Sequence, residues 1–378
     1  MILLEHGPSG RPALFDAPRE VVVAEAADAV LPALARLDAA RAAGAWVAGY
    51  VSYEAGYALE DKLAALMPAE RAHPLLAFGI YDAPQDAAAA LATAAAAAPG
   101  VYLAPLQPMV SRDAYGAAFE TVAAYIAAGD CYQINLTFPM QTSLTGTPLG
   151  LYGALRARQS VGLGAYLDLG TGPVIVSRSP ELFFSCSAAG RIEARPMKGT
   201  APRGADPQED AELAAELYHS EKTRAENLMI VDLLRNDISR LAEVGSVRVP
   251  ELFAVEAFAT LHQMSSRVVG QLLEPPAMAR LMPALFPCGS ITGAPKIRAM
   301  EIIREVEPHP RGVYCGAIGW MGPDGASAFN VGIRTLSITG SQVVLNVGGG
   351  VVYDSTASGE WEEAHWKARY AAGLTRSA

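Results

Sequence analysis

The chain has 378 residues, 51% of them hydrophobic and 18% charged, and a formal charge of −10. That is enough apolar material for a large core, and the length predicts two or three domain-sized units of soluble globular protein. The acidic balance, with no run of Lys and Arg interleaved with aromatics, argues against a phosphate-tracking surface and so against nucleic acid as a partner.

Cys131, Cys186, Cys288 and Cys315 form no CxxC pair, so neither a zinc ribbon nor a secreted disulfide framework is expected. The first residues, Met1-Ile2-Leu3-Leu4-Glu5-His6, lack the basic start and long apolar stretch of a signal peptide. The alanine-rich run at 87–98 is too short and too weakly apolar to span a bilayer. The expected location is the cytoplasm, with no membrane contact.

In chain order, 46–53 alternates like a strand and 75–81 reads as another. The stretch 83–108 combines alanines with Pro84, Pro99, Gly100, Pro105 and Pro108, which reads as a connection with a boundary near 105. That boundary separates an N-terminal region, 1–105, from a catalytic region, 106–378. A helix over 113–128 has Tyr115, Phe119, Val122 and Ile126 at helical spacing and ends on Gly129. A strand over 131–142 and a meander of strands at 163–169, 172–177, 182–187 and 191–194 predict an antiparallel sheet.

From 209 to about 235 the pattern is one helix, with Leu228, Val231, Leu233 and Leu234 on its apolar side. A glycine-rich loop at 287–296 leads to a helix over 297–305. Strands at 312–320, 326–338 and 341–348 precede a terminal helix over 359–374. The fold class is α+β.

Glu360 and Glu363 share a face of that terminal helix, with Lys367 one turn further on. A solvated salt-bridge face is the plain reading. The preceding Gly348-Gly349-Gly350 would let an anion approach the backbone closely, and an anion beside two acids calls for a cation. Glu226 opens the polar end of the helix around 226–237, where Asp232, Arg235 and Asp237 read as helix ion pairs. Hard carboxylates from two helices suit Mg²⁺ better than zinc.

Ser290-Ile291-Thr292-Gly293-Ala294-Pro295-Lys296 fails as a P-loop because Pro295 intrudes and the lysine is misplaced; the glycine triplet fails the dinucleotide fingerprint. His262 in apolar surroundings is either a hydrogen-bonded core residue or a general acid. Arg334, in a strand-like run, is costly to bury unless it meets an anion.

The order of these motifs resembles that of the chorismate-utilising enzymes, most of all the aminodeoxychorismate synthase component I branch. The match runs over about residues 106–370, through Gly129-Asp130-Cys131-Tyr132-Gln133-Ile134-Asn135-Leu136, Ser179-Pro180-Glu181, Pro196-Met197-Lys198-Gly199-Thr200, the 226–237 run, 290–296, Gly332-Ile333-Arg334-Thr335 and 348–367. The resemblance implies two β-sheets packed together with helices outside, and chorismate and Mg²⁺ held between them. It implies Glu226 and Glu363 as metal ligands with Glu360 acting directly or through water. Tyr314 and Arg334 would hold the substrate carboxylates, helped by Gly348, Gly350, Ser290, Thr292 and Lys367. Glu181 matches the general acid for the departing C4 hydroxyl, and His262 matches a histidine near the substrate.

Two positions separate the branches. Isochorismate and salicylate synthases carry a lysine base where this chain has Gln133, and anthranilate synthases usually carry alanine where it has Lys198. In aminodeoxychorismate synthases that lysine attacks C2 and is later displaced as ammonia adds at C4. A lysine pKa of about 10.4 must fall for this, and Arg195, Arg203 and Mg²⁺ are the expected sources of the bias.

The sequence around Cys131 lacks a glutaminase elbow, and the chain's close after the terminal helix is read as leaving no fused domain. Ammonia is therefore expected from a separate glutamine amidotransferase subunit. Thr223 stands where some relatives have another acid. The N-terminal region is short for the family, and no feedback site is assigned. The alternatives are anthranilate synthase component I and a non-catalytic chorismate-binding paralogue.

Overall fold

The computed structural model describes residues 1–258 and 261–374, so the last four residues of the predicted catalytic region lie outside the described residues. Two sheets, of 11 and 10 strands, make up the fold. The first sheet places Gln133–Thr145 beside Gln342–Val351 near one end and Ile2–Leu4 and Ala13–Phe15 near the other. The second runs from Met197–Pro202 and Leu261–Gln271 through Leu182–Cys186 to Trp46–Val51 and Leu76–Tyr81. Strands from before residue 105 thus enter both sheets.

The inner faces of the two sheets meet, and central strands such as Leu76–Tyr81 and Ala317–Met321 are buried along their whole length, with their outer faces covered as well. Ile2, Phe15, Leu167 and Ile175 of the first sheet share an apolar cluster with Tyr50, Ile318 and Trp320 of the second. The expected α+β class and packed sheets are the observed ones. No helix among the described residues is long and apolar enough to cross a membrane.

Local rules hold where a helix carries its own signals. Arg112–Ala128 starts on Ser111, whose side chain accepts a hydrogen bond from the Ala114 amide, buries Tyr115, Phe119, Val122 and Ile126, and stops at Gly129 with φ 82°.

Three expectations need correction, and two of them bear on the site. The strands around 163–194 are not one meander: Ala165–Leu167 pairs with Val174–Ser177 in the first sheet, and Leu182–Cys186 with Arg191–Arg195 in the second. The chain changes sheets at 178–181. The predicted strand 326–338 is likewise two strands, Ser327–Val331 in the second sheet and Thr335–Thr339 in the first, with a crossing at 332–334.

These two crossings run side by side, with Val331 N donating to Glu181 O at 3.0 Å and Arg178 N to Arg334 O at 2.9 Å. Arg334 takes φ 49°, a left-handed conformation that a side-chain-bearing residue adopts only when its surroundings impose it.

Thirdly, the predicted 209–235 helix is two, Pro207–His219 and Glu221–Ser239. Ser220 leaves helical geometry at ψ 106° and accepts from the Thr223 amide, starting the second. Its buried face is Asn227, Ile230, Val231, Leu234, Asp237 and Ile238, whereas Leu228 is exposed. Asp232 does pair with Arg235 at 2.8 Å, but Asp237 pairs with Lys296 at 2.6 Å across the core.

Candidate active site

Between the sheet crossings, the Met197–Pro202 strand and the terminal helix lies a cavity of about 580 Å³. Its wall holds Glu181, Lys198, Glu226, Ser290, Tyr314, Arg334, Gly348, Gly350, Glu360, Glu363 and Lys367. These span nearly half the sequence, and the fold brings them to one place.

Lys198 sits at a break in strand register: Met197 pairs with Ser265 and Thr200 with Gln263, with a shift between. Gly199 absorbs the shift at φ 76°, where a Cβ would lie 2.2 Å from the Thr223 methyl. Gln263 Nε2 donates to Gly199 O at 2.7 Å and fixes the turn. The amine donates to Gln133 Oε1 at 3.3 Å.

Burial pulls the Lys198 pKa down, with Lys367 adding to the effect and Glu226, Glu181 and Glu363 opposing it. Arg195 and Arg203 are not the source. Arg195 faces Glu193, Glu251 and Glu256, and Arg203 is bonded twice to Asp210 at 2.7 Å. Charges already matched by neighbouring acids bias a distant amine little.

Glu181 is 5% exposed. Burial pushes its carboxyl up to about 7, against smaller opposing effects of Ser290 and Lys198. Its Oε1 has no hydrogen-bond partner among the described residues. A carboxyl that keeps its proton near neutral pH, with a free oxygen at a cavity wall, is equipped to protonate a leaving group.

Glu360 and Glu363 lie one turn apart on Ala357–Ala368, which Thr356 caps at its N-terminus. Ser355 Oγ donates to Glu360 Oε1 at 2.7 Å; Lys367 Nζ reaches Glu363 at 2.7 Å and Gly348 O at 3.0 Å. Burial and the nearby Glu363 raise the Glu360 pKa against the Ser355 bond. Burial also acts to raise that of Glu363, but Lys367 prevails and holds it below the ordinary value.

A Cβ on Gly349 would come 2.5 Å from Glu360 Oε2, so the glycine leaves a cradle for this carboxylate. With Glu226 across the cavity, the oxygen-only donor set fits a hard cation. The three carboxylates are not drawn into one coordination shell among the described residues.

Two nominated residues stand outside the cavity wall. His262 Nε2 meets Asp210 at 2.8 Å, and Thr292 Oγ1 turns back to Cys288 O at 3.2 Å. For His262 the reason is the strand's two-residue period: Gln263, next to it, takes the cavity face.

Other wall residues that sequence reasoning missed include Asn135, Lys222, Asn346, Trp366 and Tyr370. Behind the wall, buried Arg311 donates to Asn135 O at 2.6 Å, Ile291 O at 3.0 Å and Glu307 at 2.7 Å. It thereby ties the Ser290 loop to the Gln133–Thr145 strand. No motif flagged it.

The profile of the chorismate binding enzyme family matches residues 2–373. The chain belongs to that family. Among curated relatives it is 45% identical over 257 residues to aminodeoxychorismate synthase component 1 of Escherichia coli (strain K12), which covers 68% of this chain and 56% of the relative. Anthranilate synthase component 1 of Thermus thermophilus is 42% identical over 266 residues, covering 70% of this chain and 57% of that one. The chain thus aligns with little more than half the length of these relatives.

Among solved structures of the family, anthranilate synthase component I from Streptococcus pneumoniae superposes with a TM-score of 0.80 at 26% identity, covering 98% of this chain and 91% of that one. The isochorismate synthase MenF of Escherichia coli, at 16% identity and TM-score 0.74, shares the fold.

Proposed function

We propose that this chain converts chorismate and ammonia to 4-amino-4-deoxychorismate and water, as component I of an aminodeoxychorismate synthase in the cytoplasm. The observation that carries the reading is Lys198: a buried amine with a lowered pKa, on the same cavity wall as the raised carboxyl of Glu181. In the proposed sequence the neutral amine bonds to C2 of the ring, both ring double bonds shift one position, and the C4 hydroxyl departs as water with the Glu181 proton. Ammonia then bonds to C4, both double bonds shift back, the C2–Lys198 bond breaks to free the neutral amine, and the surplus proton on the new C4 nitrogen returns to Glu181.

Arg334 and Tyr314 orient the substrate's carboxylates. Burial holds the Tyr314 phenol far above its usual pKa, so it stays a hydrogen-bond donor. Glu226, Glu360 and Glu363 are the proposed holders of Mg²⁺, which when bound supplies positive charge to the ring carboxylate. Gln133 in place of a lysine base leaves no side chain to activate water at C2, which favours amination over hydration. Ammonia is proposed to come from a glutamine amidotransferase partner.

Anthranilate synthase relatives are nearly as similar in sequence, so the deciding experiment is product identity. The protein is incubated with chorismate, Mg²⁺ and ammonia, and then with an aminodeoxychorismate lyase. p-Aminobenzoate is the expected product; anthranilate as the main product overturns the proposal. Mass spectrometry of the quenched reaction is expected to find a chorismate-derived adduct on Lys198.

A further inference from the structure

A second cavity of about 390 Å³ adjoins the first. The two share Thr200, Arg334, Trp366, Lys367 and Tyr370, so only these side chains lie between them. Three cations, Arg334, Lys367 and Arg369, line the second cavity, and among the described residues no carboxylate does. In a chain of formal charge −10 that is a local reversal of sign. Lys367 is matched by Glu363, but Arg334 and Arg369 make no ion pair among the described residues. The Tyr370 hydroxyl is buried and has no hydrogen-bond partner among the described residues. By contrast, the depression on the other side of Arg369 mixes Glu362 and Glu363 with Arg112 and carries no single sign.

We propose that this second cavity is the vestibule through which a dianionic substrate is admitted, with exposed Arg369 at the mouth attracting it and Arg334 and Tyr370 receiving its leading carboxylate. A low-dielectric cleft lined by one sign of charge focuses field and raises the association rate of oppositely charged ligands. This inference rests on the proposed use of chorismate, the dianion whose carboxylates the site would hold.

The test follows chorismate association by stopped flow, using the fluorescence of Trp366, which borders both cavities. Arg369→Gln is expected to slow association and Arg369→Glu to slow it further, by about tenfold at low salt. The difference shrinks towards nothing as salt shortens the Debye length to about 3 Å near 1 M. Steady-state kcat with ammonia stays at the wild-type value.

The control is the same reversal at exposed Arg11, which is expected to change nothing. Equal salt dependence in wild type and Arg369→Glu, or equal slowing by Arg11→Glu, overturns the vestibule and leaves the proposed reaction standing. An effect on the KM for ammonia rather than on chorismate association also overturns it. No binding of chorismate to the unsubstituted protein overturns the proposed reaction itself.

Discussion

Gly349→Ala separates the site from the fold. Gly349 lies in Gln342–Val351, paired with Leu136, and its φ lies outside the left-handed region. An alanine therefore meets no backbone objection, and replacing a strand glycine stabilises by up to about 1 kcal/mol. The nearest atom to the new Cβ is Glu360 Oε2 at 2.5 Å, whereas ordinary contact begins at 3.4 Å.

Glu360 must therefore retreat by about 1 Å, and as the flexible end of a side chain it does so at little cost to the fold. A displacement of about 1 Å at a catalytic centre costs roughly 100-fold in rate. The expected result is an unchanged or slightly higher melting temperature, a loss of about two decades in kcat/KM for chorismate, and a higher Mg²⁺ concentration for half-maximal rate. A variant within threefold of wild type in both kinetic measures refutes the role assigned to Glu360 and its cradle.

Glu181→Gln is expected to abolish amination while stabilising the protein above neutral pH. The folded carboxyl titrates near 7 against an ordinary 4.5, so its ionisation weakens the wild-type fold progressively between those values and by a constant amount above them. The difference in unfolding free energy between variant and wild type grows over that window to on the order of 2–3 kcal/mol; a difference independent of pH refutes the buried, protonated carboxyl. Lys198→Ala is expected to remove C4 amination and the adduct together, and a fully active variant eliminates the covalent step. Glu307→Ala strands the buried Arg311 guanidinium and is expected to cost about 3–5 kcal/mol in urea unfolding; a loss below about 1 kcal/mol denies the clamp on the Ser290 loop.

Much of the site was legible because its chemistry is written in local motifs. The polar block around Lys198, the acids one turn apart on the terminal helix and the glycines before them are short-range patterns, and each reached the cavity. What misled was also local. For His262 the sequence left a hydrogen-bonded core residue and a general acid both open; in the strand it is buried against Asp210, while Gln263 beside it faces the cavity and holds the Lys198 turn. Arg195 and Arg203 are near Lys198 in sequence but matched by acids from elsewhere. Arg311 and Tyr370 sit in no recognisable pattern, because their importance lies wholly in what the fold brings against them.

The sequence by itself determined the element types, the α+β class, the family and the chemical inventory, since these depend on periodicity, turn residues and motif order over short distances. Only the tertiary structure decided where the chain changes sheets. The crossings at 178–181 and 332–334 read as ordinary turn and strand, because hydrophobic alternation looks the same whichever sheet a strand joins. Their side-by-side hydrogen bonding is a long-range event that no local pattern encodes. It is also what sets Glu181 and Arg334 on one cavity wall, over 150 residues apart in the chain.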